Sequence, residues 1–148
     1  MKTFTTLAFL LFATHLVYSQ KPQTPTEKVL YNIILPRGLS SAKFLSCNKS
    51  TKVDLWHKDD GEGRQKWKFI KISNGAYNIE VSNPGGNRKY LSCSNSGVVD
   101  LWDKDDNSGR QQWELIKKSN GTFNIMSVGV KDKFLSCNTS SGVDLWNT

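Results

Sequence analysis

The sequence is poor in the residues that catalytic and metal centres most often use. Its 148 residues include three cysteines and two histidines, and of the two histidines only His57 lies outside the N-terminal segment. A nucleophile needs a base within hydrogen-bond reach and a third group that orients the base, which a lone histidine does not supply. No Cys-x-x-Cys pair indicates a zinc site. The sequence therefore argues against an enzyme and predicts no cofactor and no metal.

Long apolar runs are absent after the N-terminus. Lys2, the mostly apolar run 7–18 and the small-residue site Val17-Tyr18-Ser19 are typical of a secretory signal. The run is shorter than the roughly 20 apolar residues that span a bilayer. We therefore predict a signal peptide over residues 1–19, a secreted, extracellular protein and no membrane insertion.

Clustered positive charge is also absent. The formal net charge is +7, but no run of five basic residues occurs. Surfaces that bind nucleic acid or heparin usually cluster their basic residues. The pattern favours a mixed, solvated surface and predicts no nucleic-acid partner.

The sequence does contain one segment that is repeated three times. The pattern Lys-Phe/Tyr-Leu-Ser-Cys begins at Lys43, Lys89 and Lys133, and each copy is followed by Val-Asp-Leu-Trp. A fixed period of this size indicates one supersecondary unit that needs its neighbours to bury its apolar face. Because surface-type residues are repeated too, the copies are expected to repeat a binding site.

Two copies continue into an Arg-Gln-x-Trp segment, which ends at Trp67 and Trp113. The third copy has two residues after Trp146 and no such segment. We expect an extended lead-in over residues 20–30, part of which takes the place of the missing strand, and one domain over 31–148.

Strand signals dominate this domain. The segments are short, alternating and rich in β-branched and aromatic residues, and two Asn-Gly pairs lie between them. A propeller normally needs four or more blades, and an open solenoid needs more repeats with distinct caps. The sequence therefore predicts an all-β fold in which three units close into a barrel.

The three cysteines occupy the same place in each unit, at Cys47, Cys93 and Cys137. An odd number cannot pair within one chain, and symmetry keeps equivalent positions apart. Semi-buried thiols are favoured, and two alternatives stay open: one intermolecular bond, which would give a homodimer, or one strained bond within the chain.

Val-x-Leu-Trp followed by a polar loop and Gln-x-Trp resembles the repeat of the ricin B-type lectins, which are β-trefoils. The resemblance covers Tyr31 to Trp146 and implies twelve or slightly fewer strands with pseudo-three-fold symmetry, the third unit being incomplete. It also implies that Trp67 and Trp113 are core residues. The carbohydrate-binding residues that it implies are Asp54, Trp56, Arg64, Gln65, Asp100, Trp102, Arg110, Gln111, Asp144 and Trp146.

One departure from the family concerns sugar specificity. Galactose-binding members carry an Asp where this chain has Ser46, Ser92 and Ser136. The usual ligand of the axial hydroxyl is therefore missing, and galactose is not predicted.

Strand alternation gives an independent argument for the site. Asp54 and Trp56 lie on the face opposite Val53 and Leu55, so a carboxylate and an indole stand together away from the core. The sequence predicts a lectin for glycans or glycoproteins. The alternative is a protein-binding β-trefoil, such as a protease inhibitor or receptor ligand, but such a protein is expected to have one divergent loop rather than a repeated site.

Overall fold

The computed structural model describes residues 23–35, 44–138 and 142–147, and these form eleven strands and no helix. The all-β prediction is confirmed. The predicted signal peptide lies outside the described residues, and no helix within them is long and apolar enough to cross a membrane. The strands are β1 (Leu30–Tyr31), β2 (Phe44–Cys47), β3 (Val53–Trp56), β4 (Trp67–Lys71), β5 (Tyr77–Val81), β6 (Tyr90–Cys93), β7 (Val99–Trp102), β8 (Gln112–Lys117), β9 (Phe123–Ser127), β10 (Phe134–Cys137) and β11 (Val143–Trp146).

The chain divides into three units: unit 1 spans β1–β4, unit 2 spans β5–β8 and unit 3 spans β9–β11. Each unit contains one antiparallel hairpin, β2–β3, β6–β7 or β10–β11, with the same register. In unit 1, Leu45 is opposite Leu55 and Ser46 is opposite Asp54. Since side chains alternate along a strand, the two leucines are buried in the core while Asp54 lies on the other face.

The three hairpins meet around a pseudo-three-fold axis. Each makes one backbone bridge to the next, joining the residue before its Val to the Asp of its neighbour. The bridges are Lys52 with Asp100, Val98 with Asp144, and Gly142 with Asp54. This cyclic arrangement is the symmetry that the repeat predicts.

The remaining strands build a barrel in the order β1-β4-β5-β8-β9. Asn-Gly turns join β4 to β5 and β8 to β9, and Gly75 and Gly121 adopt φ values of 90° and 87° there, which glycine reaches without steric cost. Three-fold symmetry calls for six barrel strands. Among the described residues the sixth is missing, and the barrel is open between β9 and β1.

The two Gln-x-Trp tryptophans are the largest fully buried side chains, as predicted. Trp67 Nε1 donates to the backbone oxygen of Leu45 at 2.8 Å, and Trp113 Nε1 donates to that of Leu91 at 2.9 Å. In unit 3, no tryptophan among the described residues donates to Leu135, which is only partly buried. The tryptophan therefore seals the core of its own unit.

The lead-in does not replace the missing strand in its described part. Residues 23–29 form a turn and no strand, and Thr26 N donates to Tyr31 Oη at 2.8 Å. Pro25 has no N–H to offer a sheet edge. β1 begins at Leu30 and occupies the place that Tyr77 and its neighbours hold in unit 2, so the expected substitution is wrong for these residues.

Replacing Trp67 or Trp113 by Ala is expected to lower the free energy of unfolding by about 3–5 kcal/mol, because each removes a fully buried indole. Trp146, which is 59% exposed, is the matched control. Trp146→Ala should change the free energy of unfolding by less than about 0.5 kcal/mol. Urea unfolding followed by circular dichroism measures all three. Similar losses for the buried and exposed tryptophans would contradict this account of the core.

Candidate functional site

The outward face of each hairpin carries one Asp and one Trp. The Trp56 side chain is 44% exposed, Trp146 is more exposed still, and Trp102 is half-buried. In each unit the Trp is two residues after the Asp on the same strand, so both point away from the core. The structure thus brings each predicted Asp/Trp pair together on one face.

The carboxylates of these pairs are short of hydrogen-bond partners. Asp100 Oδ1 and Asp144 Oδ1 are buried, and neither has a partner. Burial raises the pKa of the Asp54 and Asp100 carboxyls, although Arg64 near Asp54 and Arg110 near Asp100 oppose the rise. A buried acceptor without a donor costs about 1–3 kcal/mol. A hydroxyl donor arriving from a ligand would remove that cost.

Ser46 and Ser92 lie directly across the hairpin from Asp54 and Asp100. A hydrogen bond from Ser92 favours the ionised form of Asp100, but burial outweighs it. Galactose-binding relatives carry an Asp where this chain has Ser46 and Ser92. The carboxylates of Asp54 and Asp100 nevertheless lie on the same face, on the neighbouring strand.

The two arginines before the Gln-x-Trp segments have different surroundings. Arg64 Nη2 donates to Asp60 Oδ2 at 2.7 Å and pairs with Glu62 at 3.0 Å, while its Nε has no partner. Arg110 Nε instead donates to the backbone oxygen of Cys93 at 2.7 Å. The predicted role of both beside the ligand stays a prediction.

Trp102 has cations against its ring. The guanidinium carbons of Arg88 and Arg110 lie 5.0 and 5.6 Å from the ring centroid, within the range of cation–π attraction. In unit 1 the neighbour of Trp56 is His57, with ring centroids 5.2 Å apart. The Trp102 indole is thus held more firmly than the Trp56 indole, which is more exposed to solvent.

Gln65 and Gln111 lie beneath the site rather than on its surface. Gln65 is 1% exposed, its Nε2 donates to Ser46 Oγ at 2.9 Å, and its Oε1 accepts from Asp60 N at 3.3 Å. Gln111 repeats the pattern with Ser92 and Asp106. These glutamines connect the loop to the hairpin. A ligand on the outward face would contact the loop and hairpin residues that they position, and not the glutamines themselves.

The loops that follow Trp56 and Trp102 are fixed by their own aspartates. A hydrogen bond from Lys66 and one from the Gly61 amide hold the pKa of Asp59 below its ordinary value. Asn32 Nδ2 donates both to Asp59 Oδ2 at 3.2 Å and to the backbone oxygen of Gln65 at 2.9 Å. The loop of unit 1 is therefore held in place by hydrogen bonds to its aspartates. Within the described ranges, no group of three or more His, Cys, Asp and Glu side chains could hold a metal ion.

The cysteines are unpaired thiols in the structure. Cys47 and Cys93 are buried, and Cys137 is partly exposed. Burial raises the pKa of Cys47 to about 11 and raises the pKa of the other two thiols as well. Because the thiolate is the reactive form, these side chains are poor nucleophiles near neutral pH.

Sequence reasoning missed three contributors to the site. Ser46 and Asn32 recur in unit 2 as Ser92 and Asn78, which make the same bonds, and this recurrence could have revealed them. Arg88 has no counterpart in the other units, and nothing in the sequence connects it to Trp102.

More than half of the chain, residues 63–145, matches the family model described as ricin-type beta-trefoil lectin domain-like. The chain therefore belongs to this family of β-trefoil lectin-like domains. No curated protein matches it.

Three similar solved structures support the fold. The BEL β-trefoil has 19% identity and a TM-score of 0.64, with 86% of this chain and 90% of that chain covered. The designed three-fold symmetric protein ThreeFoil has 22% identity and a TM-score of 0.58, with 71% and 81% covered. The GlcNAcα1-4Gal-releasing endo-β-galactosidase from Clostridium perfringens has 17% identity and a TM-score of 0.64, with 81% of this chain covered. Only 29% of that enzyme is covered, so this chain spans less than a third of its length. The β-trefoil prediction is confirmed.

Asp100→Asn is expected to raise the melting temperature near pH 7. Burial raises the pKa of Asp100 in the folded state, so its charge destabilises the fold at any pH above that folded-state value. The penalty disappears as the pH falls below the unfolded value of about 3.9. The gain of the variant should therefore be full near pH 7 and vanish towards pH 3.

Melting curves of the parent, Asp100→Asn and Asp103→Asn at both pH values test this. Asp103 is exposed in the adjoining loop and is the control that should gain nothing. An equal gain of Asp100→Asn at both pH values would exclude the buried charge as its cause.

Proposed function

We propose that this chain is a secreted lectin that binds glycans or glycoproteins on the outward faces of its hairpins. The observation that carries the proposal is the buried, unpartnered carboxylate oxygen of Asp100, and again of Asp144, beside an outward tryptophan. A sugar hydroxyl can donate to such an oxygen while the indole covers the apolar C–H face of the ring. The same pairing in three units favours a repeated sugar site.

The proposed sites differ in completeness. The first joins Asp54 and Trp56 with Arg64 and Gln65, and the second joins Asp100 and Trp102 with Arg110 and Gln111. The third has Asp144 and Trp146 alone and is the weakest, because no Gln-x-Trp loop borders it in the described residues. In this scheme the glutamines position the site from below, in agreement with their burial.

The carboxylate in each site comes from the strand opposite the serine. Asp54 and Asp100 stand across from Ser46 and Ser92, where galactose-binding relatives carry their Asp on the serine strand. The acceptor is thereby displaced by one strand spacing of roughly 4.8 Å. A sugar must sit differently in this site, and the specificity is expected to differ from that of the galactose binders.

The family supports a binding module rather than an enzyme, and the raised pKa values of the thiols agree with this. One structural neighbour, the endo-β-galactosidase, acts on a carbohydrate and includes a domain of this fold, which is consistent with a role for the fold beside sugars. Secretion is proposed on the sequence of residues 1–19. Repetition of the site favours the lectin over a protein-binding module, which needs only one specialised loop.

Each site is expected to be weak, near millimolar or about −4 kcal/mol, so binding to a dense glycan surface depends on two sites acting together. Trp56→Ala or Trp102→Ala should lower apparent affinity for an array-bound glycan roughly 100-fold through lost avidity. The double variant should lose binding. A glycan array probed with the protein of residues 20–148 and with these three variants measures the apparent affinities.

Ile116 is an exposed apolar residue on β8, away from the Asp/Trp pairs, and Ile116→Ala is the matched control that should bind like the parent. Circular dichroism confirms folding of every variant. If the folded double variant binds the identified glycan as well as the parent, the tryptophans are not the site. Binding that survives enzymatic deglycosylation of a glycoprotein target would favour the protein-binding alternative.

A further inference from the structure

The proposed site of unit 2 differs from the other two in the charges around its indole. The guanidinium carbons of Arg88 and Arg110 lie 5.0 and 5.6 Å from the centroid of the Trp102 ring, and no cation among the described residues lies against Trp56 or Trp146. In the same part of the chain, neither arginine forms an ion pair with a carboxylate. Two positive charges without an anionic partner therefore lie beside this indole.

Arg110 lacks an anionic partner because one residue differs between the loops of units 1 and 2. In unit 1, Glu62 pairs with Arg64 at 3.0 Å, and Asp60 binds the same guanidinium at 2.7 Å. Unit 2 has Ser108 in place of Glu62. The loop of unit 2 thus lacks one of the two carboxylates that neutralise the arginine of unit 1.

Ser108 also engages the carboxylate that remains in the loop. Asp106 Oδ1 accepts from Ser108 N at 3.0 Å and from Ser108 Oγ at 2.5 Å. Arg110 is bonded to the hairpin instead, since its Nε donates to the backbone oxygen of Cys93 at 2.7 Å. Its two Nη groups have no hydrogen-bond acceptor among the described residues. These donors are available to a ligand.

Arg88 brings the second charge from a position that is not basic in the other units. It directly precedes the Lys-Tyr-Leu-Ser-Cys segment, where units 1 and 3 have Ala42 and Asp132. The residue is exposed, and its guanidinium makes no hydrogen bond to a described residue. Its position against Trp102 therefore leaves its N–H donors free, as in unit 2 those of the Arg110 Nη groups are.

The two cations act on the same carboxylate that the sugar site presents. Burial raises the pKa of Asp100, and Arg110 and Arg88 oppose the rise. Asp100 Oδ1 has no donor, so a fitting ligand brings a hydroxyl for this oxygen and an anionic group for the guanidiniums. The paired N–H groups of an arginine match the oxygens of a carboxylate, and a sulfate ester offers a similar pair. An acidic sugar carries both kinds of group on one ring.

We propose that the unit 2 site binds an acidic sugar, bearing a carboxylate or a sulfate ester, and that Arg88 and Arg110 select it. The inference rests on the proposed lectin function. The anionic group binds the guanidiniums while a ring hydroxyl donates to Asp100. A neutral sugar would displace the cations from Trp102 without binding them, whereas an acidic sugar binds them in place. The carboxylates of an acidic peptide such as poly-glutamate come without a neighbouring hydroxyl.

A glycan array tests the proposal when each acidic glycan is printed beside the same glycan without its acidic group. Glycans that end in glucuronic or sialic acid supply the carboxylate, sulfated glycans supply the sulfate, and comparison of the two arms shows which group the site takes. The protein of residues 20–148 should bind the acidic form roughly 10-fold more tightly than the neutral form. Arg88→Gln should bring the two forms to equal affinity. Poly-glutamate should not compete with the acidic glycan.

Ser108→Glu gives an independent test, because it restores the carboxylate that unit 1 has beside its arginine. It should lower the preference for the acidic form as Arg88→Gln does. Ser108→Gln, which has the same size and no charge, should keep the preference. Lys117→Gln removes one positive charge from an exposed position at the end of β8 and should keep it too. Circular dichroism confirms the folding of each variant.

The proposal is overturned if acidic and neutral forms bind equally, or if Lys117→Gln lowers the preference as much as Arg88→Gln. It is also overturned if poly-glutamate competes as well as the acidic glycan, since any anion would then suffice. Binding of neutral glycans that still depends on Trp56 and Trp102 would leave the lectin function standing in each case. A protein that binds no glycan on the array would overturn both.

Discussion

The interaction on which the structure depends is the attachment of each Gln-x-Trp segment to the hairpin of its own unit. In unit 1, Trp67 closes the core by donating to the Leu45 backbone, and Gln65 bonds Ser46 on the opposite face of the same strand. One short segment thereby fixes both faces of β2. The core and the base of the proposed site cannot be separated, because neighbouring residues of one strand hold each of them.

The glutamine can be buried because its side-chain amide nitrogen and oxygen are both hydrogen-bonded. A buried amide with unpaired atoms would destabilise the fold by about 1–3 kcal/mol, but Gln111 donates to Ser92 and accepts from Asp106 N, and its backbone oxygen accepts from Asn78. Fully satisfied networks of this kind rigidify their surroundings. The loop beside the Asp/Trp pair is therefore held in one conformation before any ligand arrives, which reduces the entropy that binding must overcome.

The repeat predicted those features that each unit builds from its own residues. Alternation along Val-Asp-Leu-Trp was enough to orient Asp54 and Trp56, and the resemblance to the lectin repeat implied the buried Trp67. Features that depend on contacts between distant segments were not predictable. Arg88 reaches Trp102 from a connection that differs in every unit. Residues 23–29 of the lead-in also form no strand, since Pro25 removes a backbone donor that a sheet edge requires.

The bridges around the pseudo-three-fold axis link the three proposed sites to one another. Each Asp that presents a carboxylate outward also has its backbone paired with the next hairpin, as Asp100 does with Lys52. The orientation of one site's acceptor therefore depends on the fold of the neighbouring unit, and no unit can form its site alone. Three copies are thus a physical requirement of the site as well as a means of multiplying it.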